Sequence, residues 1–148
     1  MSHQVLDAVH ELLPSLRERA QETEDARVVP EASIKALRES GFFRLLQPAN
    51  YGGYECDPVT FYTAVRSVAS ACGSTGWVAS VLGAHQWHLA TFPAQAQEDT
   101  WGQDPSTLVS SAYAPVGRAS IVEGGYRLSA SGASPRASTM RAPPSSAG

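Results

Sequence analysis

The chain has 148 residues, with 11 basic against 14 acidic side chains, a net charge of −3, and hydrophobic and charged fractions of 43% and 17%. That is a globular composition with interspersed charges, and it excludes the basic stripe of a nucleic-acid-binding protein. No apolar run approaches the ~20 residues of a membrane span, and the amino terminus MSHQVLDAVHELLPSL, with acidic residues inside its apolar pattern, is not a signal peptide.

Val5, Leu6, Val9, Leu12, Leu13 and Leu16 follow helical spacing. Pro14 interrupts them and predicts a kink or break, and the charged stretch from Arg17 to Asp25 reads as the solvated end of that helix. A second helix is expected to start at Pro30, with Glu31 favouring the positive end of the helix dipole. Ala32, Ile34 and Leu37 continue it, Gly41 closes it in a left-handed conformation, and Phe42 and Phe43 pack just beyond. The segment QPANYGGYECDP is turn chemistry. Asp57 caps and Pro58 opens a third helix, with Phe61, Ala64, Val65, Val68 and Ala69 as its apolar stripe. After a short break at Gly73 and Ser74, a fourth helix is expected from Thr75 to Thr91. It is apolar nearly all round (Trp77, Val78, Val81, Leu82, Ala84, Trp87, Leu89, Ala90), which predicts burial. Pro93 starts a short fifth helix ending near Trp101.

The texture changes at Pro105. Residues Thr107 to Ala112, Arg118 to Val122 and Tyr126 to Ser129 are strand candidates, the last two joined by the tight turn Glu123-Gly124-Gly125. The fold class expected is mainly α with the start of a β domain. Residues 1–104 form the helical part, 105–129 the beginning of the β part, and 130–148 a tail rich in Ala, Ser, Pro and Gly without periodicity. That tail reads as disordered. With GC-rich codons and one base lost after the Ser129 codon, its nucleotides can encode, in the neighbouring frame, a β-prone segment containing W-x-F-S-S-G. The tail is therefore expected to be frameshifted and the chain truncated. Cys56 and Cys72 have no CxxC partner, so two buried free thiols in a reducing cytoplasm are expected.

The motifs sharpen this reading. Pro48-Ala49-Asn50-Tyr51-Gly52-Gly53, preceded by GFFRLLQP and followed by an all-helical run, resembles the amino-terminal helical domain of acyl-CoA dehydrogenases. Cys72-Gly73-Ser74-Thr75-Gly76-Trp77, then Gly83-Ala84-His85-Gln86-Trp87-His88, is similar to the oxygenase components of two-component aromatic hydroxylases within that superfamily. Residues Ser111 to Ala119 (SAYAPVGRA) and Gly124 to Ser129 (GGYRLS) fit the same proteins in the same order, so the resemblance covers roughly residues 5 to 129.

The resemblance implies a flavin-dependent monooxygenase. Reduced flavin, FMN or FAD, arrives from a separate flavin reductase, reacts with dioxygen, and delivers one oxygen atom to a ring carbon ortho to a phenol. It implies a homotetramer, a water-excluding pocket with aromatic walls, and no part for nucleic acid or membrane. Carried over by position, His85 contacts the phenol as the catalytic candidate, Trp77 walls the flavin or substrate pocket, and Ser111, with Ala112 and Tyr113, faces the same cavity. No metal is implied: His85 and His88 have no evident third ligand. The plain alternatives weigh against each residue: a buried histidine bonded to a backbone carbonyl is commoner than a catalytic one, Trp77 and Trp87 are more often core, and Ser111 is ordinary in a strand. Without the remaining β strands and a carboxy-terminal helical bundle, the chain is expected to bind flavin weakly or not at all and to be inactive alone. Two other readings compete. One is an acyl-CoA dehydrogenase proper, disfavoured because Ala112 to Pro115 lacks the T-E-P pattern. The other is a non-enzymatic helical interaction protein or pseudogene product.

Overall fold

The computed structural model describes residues 2–111 and 117–130. They fall into two compact units, Met1–Ser110 and Ser111–Gly148, each taken by itself below. The expected tail at 130–148 lies, past Ala130, outside the described residues.

The first unit is helical: α1 (Ser2–Glu18), α2 (Ala20–Ala26), α3 (Glu31–Glu39), α4 (Pro58–Ala71), α5 (Gly73–Ala90) and α6 (Ala94–Trp101), with single 3₁₀ turns at Phe42–Arg44 and Ala49–Tyr51. Its core joins Val5, Val9 and Leu16 of α1, Leu37 of α3, Phe42, Phe43 and Leu45 of the following turn, Phe61, Ala64 and Val68 of α4, and Ala79 and Leu82 of α5. Phe42 is the hub, its ring 5.3 Å from Phe43 and 5.6 Å from Phe61. It is placed there by Gly41, which ends α3 at φ +83, a conformation costly for any residue with a Cβ.

The closest packing is between α4 and α5. A Cβ at Gly76 would lie 2.5 Å from Ala69 Cβ and 2.6 Å from Ala69 Cα, and one at Gly83 would lie 2.4 Å from Phe61 Cε2. The two helices therefore meet backbone against side chain, with no room for a methyl group at either position. A single extended residue, Cys72, separates them. The expected break thus falls one residue early, and Gly73 and Ser74 are already helical.

The α4 cap is as expected. Asp57 is extended and its carboxylate accepts from the Thr60 backbone N–H at 3.0 Å and from the Thr60 hydroxyl at 2.6 Å. These bonds, the hydroxyl's first, hold the Asp57 carboxyl below its ordinary value. A lowered folded-state pKa means that the cap stabilises above the unfolded value and that this contribution is lost as pH falls through the folded value. Asp57→Ala is therefore expected to lower the melting temperature at neutral pH. Asp57→Asn should retain most of the cap but remove its share of the acid dependence, measured as melting temperature between pH 2 and 7.

Four expectations need correction. Pro14 neither ends nor splits the first helix: α1 runs through it to Glu18. Pro14 and His10, four residues earlier, are both exposed, so the hydrogen bond that Pro14 cannot make belongs to the solvent side of the helix. The stretch after Arg17 is not merely a solvated helix end but contains a separate helix, α2, with Thr23 buried and its hydroxyl bonded to the Arg19 carbonyl at 2.8 Å. Residues 107–111 are not a strand. Side-chain donors hold the chain just before and at their start: Gln47 Nε2 donates to the Pro105 carbonyl at 2.7 Å and Trp101 Nε1 to that of Thr107 at 3.3 Å. Finally, the helix expected to be buried all round, α5, is buried on one side only.

In the second unit the hairpin is as expected. β1 (Gly117–Val122) pairs antiparallel with β2 (Gly125–Ala130), Ile121 opposite Tyr126 and Ala119 opposite Leu128. Gly124 turns the chain at φ +80. Ile121, Tyr126 and Leu128 are exposed, as befits two strands too few to enclose an apolar face.

Candidate functional site

The site expected from the sequence centres on α5. Its first turn is anchored by Thr75, whose hydroxyl donates to Cys72 Sγ at 3.2 Å, and by Ser74, which donates to Glu24 Oε1 of α2 at 2.5 Å. From there the helix has two faces. Thr75, Gly76, Ala79, Leu82, Gly83 and Gln86 are buried, whereas Trp77 and Trp87 are 70% and 53% exposed. Val81, Ala84 and His88 lie half-buried along the Trp77 side. Both faces are apolar, which is why the sequence showed no polar side. One packs into the core of this unit, and the other carries the two exposed indoles with His88 half-buried beside them.

His85 lies at the edge between the faces, about 80° around the helix from Trp77 at roughly 100° per residue. It is buried, with 3% of its surface accessible. Its Nδ1 lies 2.6 Å from the Val81 carbonyl oxygen, one helical turn back. The His88 ring stands edge-on to it at 5.6 Å, and the Trp87 ring lies 5.5 Å from His88. Helical spacing thus brings Trp77 and His85 onto one helix with different exposures, and adds His88 and Trp87 beside them.

Of the other expected site residues, Ser111 opens the second unit and is exposed. Ala112 and Tyr113 lie outside the described residues. Cys72 is buried and Cys56 half-buried, and both are free thiols. Burial, first, and the neighbouring Asp57 carboxylate push the Cys56 thiol up from its ordinary value.

A second feature had no role in the sequence reading. An open depression of about 420 Å³ is lined by Arg44, Tyr51, Glu98, Trp101 and Pro105 among others. The Tyr51 hydroxyl donates to Glu98 Oε2 at 3.2 Å, and its ring lies 5.2 Å from that of Trp101. Desolvation, then the Glu98 carboxylate, raise the Tyr51 phenol above its ordinary value. The contact joins residues 47 positions apart, and neither Tyr51 nor Glu98 lies on an apolar stripe, so no local pattern announced it.

Residues 2–104 match the family described as acyl-CoA dehydrogenase, N-terminal domain. The chain belongs to the acyl-CoA dehydrogenase family. Within that family it is 63% identical over 125 residues to the flavin-dependent monooxygenase, oxygenase subunit HsaA, of Rhodococcus jostii (strain RHA1), covering 84% of this chain and 32% of that protein. It is 46% identical over 113 residues to the FADH(2)-dependent resorcinol hydroxylase, oxygenase component, of Rhizobium sp. (strain MTP-10005), covering 76% and 28%. Among solved structures, the 3-HSA hydroxylase from Rhodococcus sp. RHA1 superposes with a TM-score of 0.83 at 61% identity over 85% of this chain and 33% of that one. The chain spans about a third of the length of the acyl-CoA dehydrogenase-family relatives it matches. Among the described residues, no helix is long and apolar enough to cross a membrane.

Proposed function

We propose that this chain supplies the helical amino-terminal domain of a flavin-dependent monooxygenase that hydroxylates a phenolic ring. The observation that carries this reading is the 63% identity, over 84% of the chain, to the oxygenase subunit of a flavin-dependent monooxygenase. In this reading residues 1–104 form the helical domain and 105–129 begin the β domain, while 130–148 are a frameshifted tail. The enzyme works in the cytoplasm as a homotetramer, and a separate reductase supplies it with reduced flavin, FMN or FAD.

The residues of α5 suit the group. A planar, largely apolar ring system needs a flat aromatic wall, and Trp77 and Trp87 offer exposed indoles on one face of one helix. When bound, the reduced flavin supplies activated dioxygen. Trp77 walls the pocket and helps to exclude water. His85 holds the phenol, and Ser111, Ala112 and Tyr113 are assigned as further pocket residues of the whole enzyme. One helical face contacts a flavin on one side only, so the 148-residue chain by itself should bind flavin weakly or not at all and be inactive.

A chimera tests this reading. Residues 1–129 replace the corresponding segment of the Rhodococcus jostii oxygenase subunit, and the product is assayed with a flavin reductase, dioxygen and a panel of phenols. Phenol-dependent formation of a catechol is expected from the chimera and not from the 148-residue chain. An oligomeric, folded chimera that only turns over reduced flavin, with no ring hydroxylation, would refute the assignment. Saturable, stoichiometric flavin binding by the 148-residue chain would show that the site lies within it.

A further inference from the structure

From Gly102 to Ser110 the chain has no helix or strand, yet it is held at definite points. The Asp104 carboxylate accepts from the Ser106 N–H at 2.9 Å and from the Ser106 hydroxyl at 2.7 Å, and the Thr107 N–H donates to the Asp104 carbonyl at 3.1 Å. These bonds are local and give the turn its shape. Its place is set by other groups. Gln47 Nε2 donates to the Pro105 carbonyl at 2.7 Å across 58 positions, Trp101 Nε1 donates to the Thr107 carbonyl at 3.3 Å, and Leu108 packs half-buried against the core. The Gln47 bond is the shorter of the two and comes from a distant part of the chain. Gln47 is itself firmly seated. It is buried, its carbonyl accepts from the Glu55 N–H at 3.2 Å, and Gly53 lies against that carbonyl with no room for a Cβ. The Tyr54 N–H donates to the Arg44 carbonyl at 2.8 Å and the Cys56 N–H to that of Leu45 at 2.7 Å, which closes the QPANYGG turn around it. The turn thus presents one side-chain amide to the chain that leaves the helical unit.

We infer that Gln47 is a positioning residue: through the Pro105 carbonyl it fixes the segment from which the chain runs on to the assigned pocket residues Ser111, Ala112 and Tyr113. The inference rests on the monooxygenase reading above and adds what steadies the approach to those residues. Ser111 follows Pro105 by six positions, so a hold at Pro105 restricts where it can go. Oxygen transfer depends on such restriction, since a misplacement of about 1 Å can cost about 100-fold in rate. Pro105 is exposed, so water can take over its carbonyl when the amide is removed. Loss of the amide therefore frees the segment and leaves the helical core standing. A role in filling space alone would be met by any side chain of the same volume, whereas this role needs the N–H donor.

Gln47→Met keeps the volume and drops the donor, and Gln47→Glu keeps the shape but sets an acceptor against an acceptor. Amide hydrogen exchange in the 148-residue chain reads the anchor directly. In both variants the amides of residues 106–108 should lose about tenfold in protection, while those of α4 and α5 stay unchanged. Unchanged protection at 106–108 would overturn the anchor whatever the enzyme does. In the chimera described above, both variants should lower kcat for ring hydroxylation about tenfold and leave the phenol KM within about threefold. Reduced flavin and dioxygen should still be consumed, with hydrogen peroxide replacing the missing catechol mole for mole. Parent-level kcat and catechol yield in either folded variant, with the segment released, would overturn the positioning role. Should Gln47→Met fail to fold, Gln47→Glu decides both points. A parent chimera that forms no catechol removes the positioning role together with the monooxygenase reading, while the exchange data still decide the anchor.

Discussion

Phe61→Ala is expected to destabilise the helical unit by about 3–5 kcal/mol, the usual cost of emptying a buried aromatic site. Phe61 is fully buried, packs with its ring tilted 5.6 Å from that of Phe42, and fills the space over Gly83 of α5. A domain of this size has about 5–15 kcal/mol in total, so the change removes a large share. Gly83→Ala should also destabilise. The new methyl would lie 2.4 Å from Phe61 Cε2, an overpacking cost of about 1–3 kcal/mol that exceeds the roughly 1 kcal/mol gained in helix propensity. Because the two changes address one volume, they should compensate. In the double variant the methyl occupies space that the ring has left, and the combined loss should fall short of the sum by at least about 1 kcal/mol. Urea denaturation of the four chains measures this. Additivity would mean that the α4–α5 contact is not as close as the structure places it.

Trp101→Ala is the second large effect, again about 3–5 kcal/mol. The indole is fully buried at the end of α6, donates to the Thr107 carbonyl at 3.3 Å, and lies 5.2 Å from Tyr51. Its loss should release both the 102–107 segment and the loop around Tyr51, and not only empty a core site. Trp101→Phe keeps most of the volume but drops the hydrogen bond, and should cost about 1–2 kcal/mol. The other two tryptophans are 70% and 53% exposed. Replacing Trp101 should therefore remove the blue-shifted part of the tryptophan emission and leave a solvent-exposed spectrum. An unchanged emission maximum in folded Trp101→Phe would contradict the burial of Trp101.

Much of the helical unit was legible because its signals are local. Asp57 followed by Pro58 marks the start of α4 through one side chain and one fixed torsion, and Gly41 marks the end of α3 through its left-handed backbone. The hairpin turn at Gly124 was legible for the same reason. The order of the segments containing GSTGW and GAHQWH carried the family, since a series of short motifs at set spacing is a property of the sequence itself. Tertiary structure decided the rest, through facts that no window of sequence contains. Pro14 stays within α1 on its exposed side, with His10 one turn earlier exposed as well. Residues 107–111 are not a strand, and the chain leading into them is held by Gln47 and Trp101 through the Pro105 and Thr107 carbonyls. The sequence of α5 is apolar on every side and so could not say which side is covered. Two glycines seated against Ala69 and Phe61 choose the inner face and leave Trp77 and Trp87 outward. The position of His85 could be named from the sequence, but its burial at the edge between the two faces of α5 is a matter of three-dimensional packing.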